Sequence, residues 1–429
     1  MADETSASGR NIAQKVGLFL GPILFLIIVL FFDLEPGKPI VTRMAAVAAL
    51  MAVWWITDAI PLFATALLPL ILYPLLGILS TKATAPIYVN STIFLFIGGF
   101  IIALTMEKWN LHKRIAVFII RTIGSGPSRI VLGFMVAAAF LSMWISNTAT
   151  AIMMLPIGMA IISQMESEFG REETHRLTLG LMLGIAYACS VGGMATIVGT
   201  PPNLAFARIF SITFPTAKPI AFGSWFFLAL PLSAVFMVVI WWILTKILYR
   251  VPAHVTIDKS IVDKEYKALG SMSFEERVVL VIFTLTAVLW VFRKDLVLGF
   301  VSIPGWSNLI PHPKLIDDGT VALFMAMLMF FIPTRSADAD SPTLMGGEDV
   351  IDKMPWGIVI LFGGGFALAK GFQTTGLATL IGQNFARIGR LYPIIMVLII
   401  CFTMTFLTEV TSNTATTQMI LPILASVAV

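Results

Sequence analysis

The stretch that indicates the fold occurs twice in this chain, each time within a strongly apolar segment. It reads Ser142-Met143-Trp144-Ile145-Ser146-Asn147-Thr148-Ala149-Thr150 and then Thr408-Glu409-Val410-Thr411-Ser412-Asn413-Thr414-Ala415-Thr416. Both copies run on to Leu-Pro-Ile, at residues 155–157 and 421–423. Polar residues are costly in apolar surroundings, so a polar motif that recurs there indicates a function.

The same separation relates other parts of the chain. Position 412 minus position 146 is 266, and this offset also superposes the glycine-rich stretches at 96–100 and 362–366. A constant offset over about 60 residues, without insertion, indicates an internal duplication, which is the usual construction of secondary transporters.

Composition places the chain in a membrane. Hydrophobic residues make up 58% of the 429 residues and charged residues 12%, and several apolar runs are long enough to cross a bilayer. We therefore predict an all-α polytopic membrane protein. Only Cys189 and Cys401 are present, so no disulfide framework is expected. The net charge of +4, without a dense basic cluster, does not indicate a nucleic-acid partner.

Apolar runs and their flanking residues predict the order of the elements. Spans are expected at about residues 16–32, 41–57, 62–79, 93–106, from 177, 224–249, 278–292, 321–333 and 356–369. Amphipathic segments at 109–123 and 373–388 are typical of helices that lie in the membrane interface. Residues 164–176 are predicted to form a loop, and residues 334–353 a flexible linker between the repeats.

Each polar motif interrupts a long apolar segment, at about 130–162 and 391–429. Two half-helices that meet at a polar tip explain this pattern, and such a re-entrant hairpin requires its tip to face protein or water. The alternative is a continuous helix whose Ser and Thr hydroxyls bond back to its own carbonyls. With the amino terminus in the cytoplasm, the two hairpins would open to opposite sides, as in inverted-topology repeats.

A second polar interruption lies at residues 192–203, Gly-Gly-Met-Ala-Thr-Ile-Val-Gly-Thr-Pro-Pro-Asn. Three glycines and two prolines cannot sustain a regular helix, so backbone carbonyls are freed beside the oxygens of Thr196, Thr200 and Asn203. The corresponding segment of the second repeat would fall near 458 to 469. The sequence in hand ends at Val429 and is therefore expected to lack it.

The tips and the break suit two kinds of ligand. Unpaired amides at the start of a half-helix favour an anion, while carbonyl, hydroxyl and amide oxygens suit a hard monovalent cation such as sodium. Two such tips would clamp a dicarboxylate or a compact dianion such as sulfate. Glu409 is the only carboxylate close to a tip and its counterpart is Met143, so sodium is favoured over protons as the coupling ion.

The paired Ser-Asn-Thr motifs, the glycine-rich segments and the Gly-Thr-Pro-Pro-Asn break together resemble the divalent anion/sodium symporters. The resemblance implies a homodimeric elevator-type transporter of the cell inner (plasma) membrane that imports dicarboxylates of the succinate, fumarate and malate type with sodium. It implies substrate contacts at Ser146, Asn147, Thr148, Ser412, Asn413, Thr414, Thr200 and Pro201. It implies sodium ligation at Ser142, Ser146, Asn147 and Gly199, and at Thr408, Ser412 and Asn413.

The expected domain organisation follows from the repeats. Residues 1–90 would be scaffold helices, 91–212 the first transport repeat, 213–354 scaffold helices and linker, and 355–429 the second transport repeat. A sodium-coupled citrate or sulfate transporter, a dicarboxylate exchanger of the same fold and an anion channel are alternatives. An intramembrane enzyme is disfavoured, because the four histidines lie outside the predicted spans and no acid-base pair is visible.

Overall fold

The computed structural model describes residues 10–124, 126–250, 259–298, 301–337, 339–387 and 392–427, and most of these are helical. A two-stranded antiparallel ribbon, β1 (Leu296–Leu298) with β2 (Val301–Ile303), is the only sheet in these ranges. Seven helical segments of the described chain are long and apolar enough to cross a membrane. The prediction of a helical polytopic membrane protein is therefore confirmed.

Twenty α-helices are seen in the described residues. The first ten are α1 (Ile12–Phe31), α2 (Pro39–Thr57), α3 (Leu62–Thr65), α4 (Leu68–Leu75), α5 (Thr81–Tyr88), α6 (Ser91–Lys108), α7 (Leu111–Ile123), α8 (Pro127–Ser142), α9 (Asn147–Phe169) and α10 (Arg171–Met194). The others are α11 (Pro201–Thr213), α12 (Phe222–Trp242), α13 (Lys259–Ala268), α14 (Phe274–Val291), α15 (Asp318–Phe331), α16 (Gly347–Lys353), α17 (Trp356–Thr375), α18 (Leu377–Arg387), α19 (Pro393–Val410) and α20 (Asn413–Val427).

The two duplicated regions have the same order of elements. A glycine-rich helix, an amphipathic helix and two helices around a polar tip occur as α6 to α9 and again as α17 to α20. The later four helices begin at residues 356, 377, 393 and 413, which is 265, 266, 266 and 266 positions after the starts of the earlier four. The duplication seen in the sequence is thus also a duplication of secondary structure.

Both polar motifs end one helix and start the next. In the first, α8 ends at Ser142 and the Ser146 hydroxyl accepts a hydrogen bond from the Ala149 amide (3.3 Å), which caps α9. In the second, α19 ends at Val410 and α20 begins at Asn413. In both copies the motif separates two helices, so the alternative of one continuous helix is wrong. That these helices form re-entrant hairpins stays a prediction.

Two predicted elements differ from the structure. The span expected at 62–79 is divided into α3 and α4, because Pro69 has no amide proton to donate to the Thr65 carbonyl, as a continuous helix would require. The loop expected at 164–176 is helical except at Gly170, which has a φ of 84°. Its Gln, Met and Glu residues have high helix propensity and outweigh the polarity that suggested a loop.

The flexible linker predicted at 334–353 is also wrong, because the described residues of this segment make hydrogen bonds to a distant helix. Leu344 is fully buried, and its carbonyl accepts a hydrogen bond from the Trp109 indole (2.8 Å). The Lys108 ammonium bonds to the Asp349 carboxylate at 2.6 Å and lowers the pKa of that carboxyl. Composition could not reveal these contacts, because the paired charges lie 241 positions apart.

Two compact units can be distinguished. Unit 1 takes its described residues from Met1–Ile93, Ala205–Pro219 and Pro355–Val429, and its core is formed by α2, α17, α18 and α20. Unit 2 takes them from Phe94–Leu204 and Ile220–Met354, and in it α10 packs against both α8 and α9. The division into scaffold and transport domains stays a prediction.

Close packing of α10 on α8 in unit 2 leads to a stability prediction. A Cβ atom at Gly192 would overlap the Ala139 backbone, whereas one at Gly180 in the same helix would lie 3.6 Å from the Tyr249 Cβ, an ordinary contact. We expect Gly192→Ala to destabilise the fold by about 1 to 3 kcal/mol through overpacking. Gly180→Ala is the matched control and should be neutral or stabilising. Thermal unfolding in detergent compares the two, and equal midpoints would contradict the packing.

Candidate functional site

The first tip is closed by a hydrogen bond between its two helices. The Ser142 hydroxyl, at the end of α8, donates to the Asn147 side-chain oxygen, at the start of α9, over 2.6 Å. Ser142 is fully buried. Because the first amides of a helix have no partner within that helix, α9 presents donors next to this closed oxygen pair.

The break after α10 is bonded to the same tip. The Thr196 hydroxyl donates to the Met143 carbonyl oxygen (2.5 Å) and accepts from the Gly199 amide (2.9 Å). The Asn203 amide group donates to the carbonyl oxygens of Gly193 (2.9 Å) and Thr196 (2.8 Å). The sequence analysis named Thr196 and Asn203 for their side-chain oxygens. In the structure Thr196 holds the break against the tip, and Asn203 fixes the shape of the break itself.

Several oxygens converge on the small space beside Gly199. A Cβ atom at this residue would lie 2.7 Å from the Gly193 carbonyl oxygen and 3.0 Å from the carbonyl oxygens of Ser142 and Met143. A Cβ at Gly193 would lie 2.7 Å from the Asn147 side-chain oxygen. Carbonyl dipoles that point at one place repel each other, and a hard cation such as sodium offsets that repulsion.

This carbonyl cage, formed by Ser142, Met143, Asn147, Gly193 and Gly199, contains three of the predicted sodium ligands. The structure brings Ser142, Asn147 and Gly199 close together, while the hydroxyl of Ser146 caps α9. Sodium ligation by these four residues, and substrate contacts at Ser146 and Asn147, stay predictions. The positions of the Met143 and Gly193 carbonyl oxygens beside Gly199 were not predicted. Both act through backbone carbonyls, and only the neighbouring glycines in the sequence hinted at them.

The remaining predicted substrate contacts of the first repeat lie at helix starts. Thr148 is exposed in the first turn of α9, and Pro201 is the first residue of α11. A Cβ at Gly193 would lie 3.4 Å from the Thr200 Cβ, so Thr200 is close to the carbonyl cage. The contacts of Thr148, Thr200 and Pro201 with a substrate stay predictions.

The second tip differs from the first in its hydrogen bonds. The Thr408 hydroxyl donates to the Met404 carbonyl of its own helix (2.9 Å), whereas its equivalent, Ser142, bonds across its tip. The hydroxyls of Thr411 and Thr416 are paired at 2.6 Å. Ser412, Asn413 and Thr414 surround the start of α20. Sodium ligation by Thr408, Ser412 and Asn413, and substrate contacts at Ser412, Asn413 and Thr414, stay predictions.

Two fully buried polar side chains near the tips were missed by sequence reasoning. The Thr150 hydroxyl and both polar atoms of the Gln418 amide lack a hydrogen-bond partner among the described residues. Thr416, the equivalent of Thr150, is paired with Thr411, but the first repeat has Ile145 in place of Thr411. The difference between Ile145 and Thr411 is the sequence signal that could have revealed the unpaired Thr150.

The fold and this arrangement of oxygens define a membrane transport protein, and comparison with known proteins agrees. Residues 14–429 match the family described as the sodium:sulfate symporter transmembrane region, and the chain belongs to this family. It is 39% identical over 424 residues to the sodium-dependent dicarboxylate transporter SdcS of Staphylococcus saprophyticus, covering 98% of this chain and 79% of that protein. It is 40% identical over 427 residues to SdcS of Staphylococcus aureus, covering 97% of this chain and 78% of that protein.

The comparisons also decide between classes of function. The family and these relatives are transporters and not enzymes, so the enzyme alternative is wrong. The resemblance to sodium symporters of divalent anions, inferred from the paired motifs, is confirmed.

Proposed function

We propose that this chain is a sodium symporter that imports dicarboxylates of the succinate, fumarate and malate type across the cell inner (plasma) membrane. The observation that carries the proposal is the carbonyl cage beside Gly199, which offers oxygens to a monovalent cation without any acidic side chain. The family and the names of the staphylococcal relatives support sodium as the coupling ion and a dicarboxylate as the substrate.

The same geometry explains how sodium binding assists anion binding. Two oxygens of the cage come from the tip (Ser142, Met143) and another from the break (Gly193), so a bound sodium ion ties these segments together. Helix α9 begins at the tip and helix α11 begins after the break. Sodium would thus fix the positive ends of two helices, and its own charge would further favour a carboxylate nearby.

We further propose a homodimer with inverted-topology repeats that exposes the site to each side of the membrane by an elevator motion. The identical order of elements in α6 to α9 and α17 to α20 supports the duplication on which that mechanism depends. The lipid bilayer surrounds the seven apolar segments of the described chain in this proposal.

The test is uptake of labelled succinate by purified protein in liposomes at fixed pH. Replacing sodium by potassium or choline should lower uptake by about tenfold or more, because the carbonyl cage would lose its ion. A pH gradient without sodium should not drive uptake, and Glu409→Gln should keep sodium-driven uptake. If a pH gradient alone drives uptake, and Glu409→Gln abolishes that uptake, then Glu409 and not the carbonyl cage has the coupling role.

Competition in the same assay decides between substrates. Unlabelled dicarboxylates are expected to inhibit uptake more strongly than citrate or sulfate, because two anion-binding helix ends suit two separated carboxylates. The family description keeps sulfate as the second candidate. Stronger inhibition by sulfate would favour it, and flux that neither saturates nor depends on sodium would indicate a channel.

A further inference from the structure

The first tip carries a large aromatic side chain at its centre. Trp144 directly follows Ser142 and Met143, whose carbonyl oxygens face the carbonyl cage. Its ring stacks on Phe222 of α12 (6.2 Å between centroids, 18°) and on Trp290 of α14 (6.4 Å, 10°), and meets Phe283 edge-on (5.0 Å, 87°). The buried Trp144 indole nitrogen has no hydrogen-bond partner among the described residues, so ring packing holds this side chain.

The two stacking partners of Trp144 are held by one residue, Asp318. Its carboxylate accepts a hydrogen bond from the Phe222 amide (3.1 Å), and its carbonyl accepts one from the Trp290 indole (2.9 Å). The other carboxylate oxygen pairs with Arg293 at 2.5 Å. Asp318 therefore fixes the start of α12 and the end of α14, the two elements between which the Trp144 ring lies.

The ion pair between Asp318 and Arg293 is nearly inaccessible, with side chains 9% and 5% exposed. Arg293 is also bonded to the Ile316 carbonyl (2.9 Å), so both charges have polar partners. A buried pair is weak evidence for net stabilisation, and a role in fixing one geometry has to be tested separately. Here the geometry that the pair fixes is that of Phe222 and Trp290, which together form the aromatic seat against which the Trp144 ring packs.

Helix α12 also contacts the other side of the cage. The Trp225 indole donates to the Met194 carbonyl (3.0 Å), and the Ser233 hydroxyl donates to the Val191 carbonyl (2.7 Å). Both carbonyls lie at the end of α10, next to Gly193. One helix therefore supports both the tip and the break that supply the oxygens of the cage.

We propose that Trp144 and Asp318 are positioning residues for sodium. Asp318 holds Phe222 and Trp290 in place, and the Trp144 ring packs against these two side chains. The packed ring in turn fixes the carbonyls of Ser142 and Met143. This inference rests on the proposed function, since it assigns residues to the sodium site of that function. A cage whose oxygens are held in place binds its ion more tightly than one whose tip is mobile, because less ordering accompanies binding. Neither residue contacts the ion or the substrate.

The test compares two buried ion pairs of unit 2. Asp318→Asn removes the charge at the aromatic seat. Glu276→Gln removes the charge of a pair with Arg114, whose side chains are similarly buried (9% and 10% exposed) but which joins α7 to α14. Both variants should unfold at lower temperature. Only Asp318→Asn should raise the sodium concentration for half-maximal uptake, by about tenfold.

Trp144 variants and a binding measurement complete the test. Trp144→Ala should raise half-saturating sodium as Asp318→Asn does, and Trp144→Phe, which keeps an aromatic ring, should restore it to within about threefold of the wild type. Sodium-dependent thermal stabilisation of the purified protein, without substrate, should change in parallel. This second measurement does not depend on transport.

The outcomes separate the inference from the proposed function. If sodium neither stabilises the wild-type protein against heat nor drives its uptake of substrate, the proposed function is contradicted. A sodium-dependent wild type with unchanged half-saturating sodium in Asp318→Asn and Trp144→Ala overturns the inference alone. Equal shifts in Glu276→Gln and Asp318→Asn would also overturn it, since they would reflect general destabilisation. If Asp318→Asn does not fold, the comparison of Trp144→Ala with Trp144→Phe decides.

Discussion

Replacing Asn147 by alanine is expected to abolish sodium-driven uptake. The Asn147 side-chain oxygen accepts a hydrogen bond from the Ser142 hydroxyl at 2.6 Å, and it would lie 2.7 Å from a Cβ atom at Gly193. It is therefore next to two residues whose carbonyl oxygens lie beside Gly199. The same residue starts α9 and is a predicted substrate contact. Alanine would leave the buried Ser142 hydroxyl unpaired and remove a ligand, and we expect uptake to fall by about tenfold to a hundredfold.

Asn147→Asp separates the two ligands that this residue is proposed to serve. The aspartate keeps an oxygen for sodium but adds negative charge at the start of α9, where the dicarboxylate would bind. Sodium should therefore still stabilise the purified Asn147→Asp protein against heat, while uptake is lost. Asn308→Ala, in a short 3-10 helix (Trp306–Leu309) where the exposed Asn308 bonds to Asp295 (2.6 Å), is the control and should transport normally. Near-normal uptake in Asn147→Ala would refute the site.

Local signals in the sequence located the tips and the break. Ser, Asn and Thr at 146–148 and 412–414 start α9 and α20, and the glycines and prolines of 192–203 interrupt the helix between Met194 and Pro201. These residues act on the backbone within a few positions, through capping, missing donors and absent side chains, so a single sequence carries their signal. The constant offset of 266 positions between the repeats also predicted that the same order of elements occurs around each tip.

The parts that the sequence missed depend on contacts between distant residues. The seat of Trp144 needs Phe222, Trp290 and Asp318, and the segment 334–353 is held by Lys108 and Trp109. None of these pairs has a local pattern. Polarity alone suggested a loop at 164–176 and a linker at 334–353. The structure instead shows helix on both sides of Gly170 and tertiary hydrogen bonds to described residues of 334–353.

The equivalence of the two repeats is also less complete than their sequences suggest. Ser142 and Thr408 both carry a hydroxyl, but one bonds across its tip and the other to its own helix. Trp144 corresponds to Val410, which offers no ring to stack. The aromatic seat therefore belongs to the first repeat, so the proposed first sodium site can be studied by variants that leave the second tip untouched.

Gly199→Ala is expected to eliminate sodium binding at the first tip. The new Cβ would lie 2.7 Å from the Gly193 carbonyl oxygen and 3.0 Å from those of Ser142 and Met143, so it would occupy the space proposed for the ion. Gly199 does not have a left-handed backbone, so its φ suits alanine, but the added Cβ would lie closer than 3.0 Å to a backbone oxygen and should also lower the unfolding temperature. We expect uptake to fall by about a hundredfold and sodium to stop stabilising the first tip.

The matched control for Gly199→Ala is Gly180→Ala, which also adds one methyl group in unit 2 but makes only an ordinary contact with the Tyr249 Cβ at 3.6 Å. It should keep uptake and sodium dependence, because the added group is remote from the carbonyl cage. Unfolding temperatures measured with and without sodium distinguish a site that the methyl group occupies from a misfolded protein. Gly199→Ala should still unfold in one cooperative transition, but sodium should shift its midpoint less than it shifts that of the wild type. Sodium-dependent uptake in Gly199→Ala at wild-type sodium concentrations would show that the ion binds elsewhere.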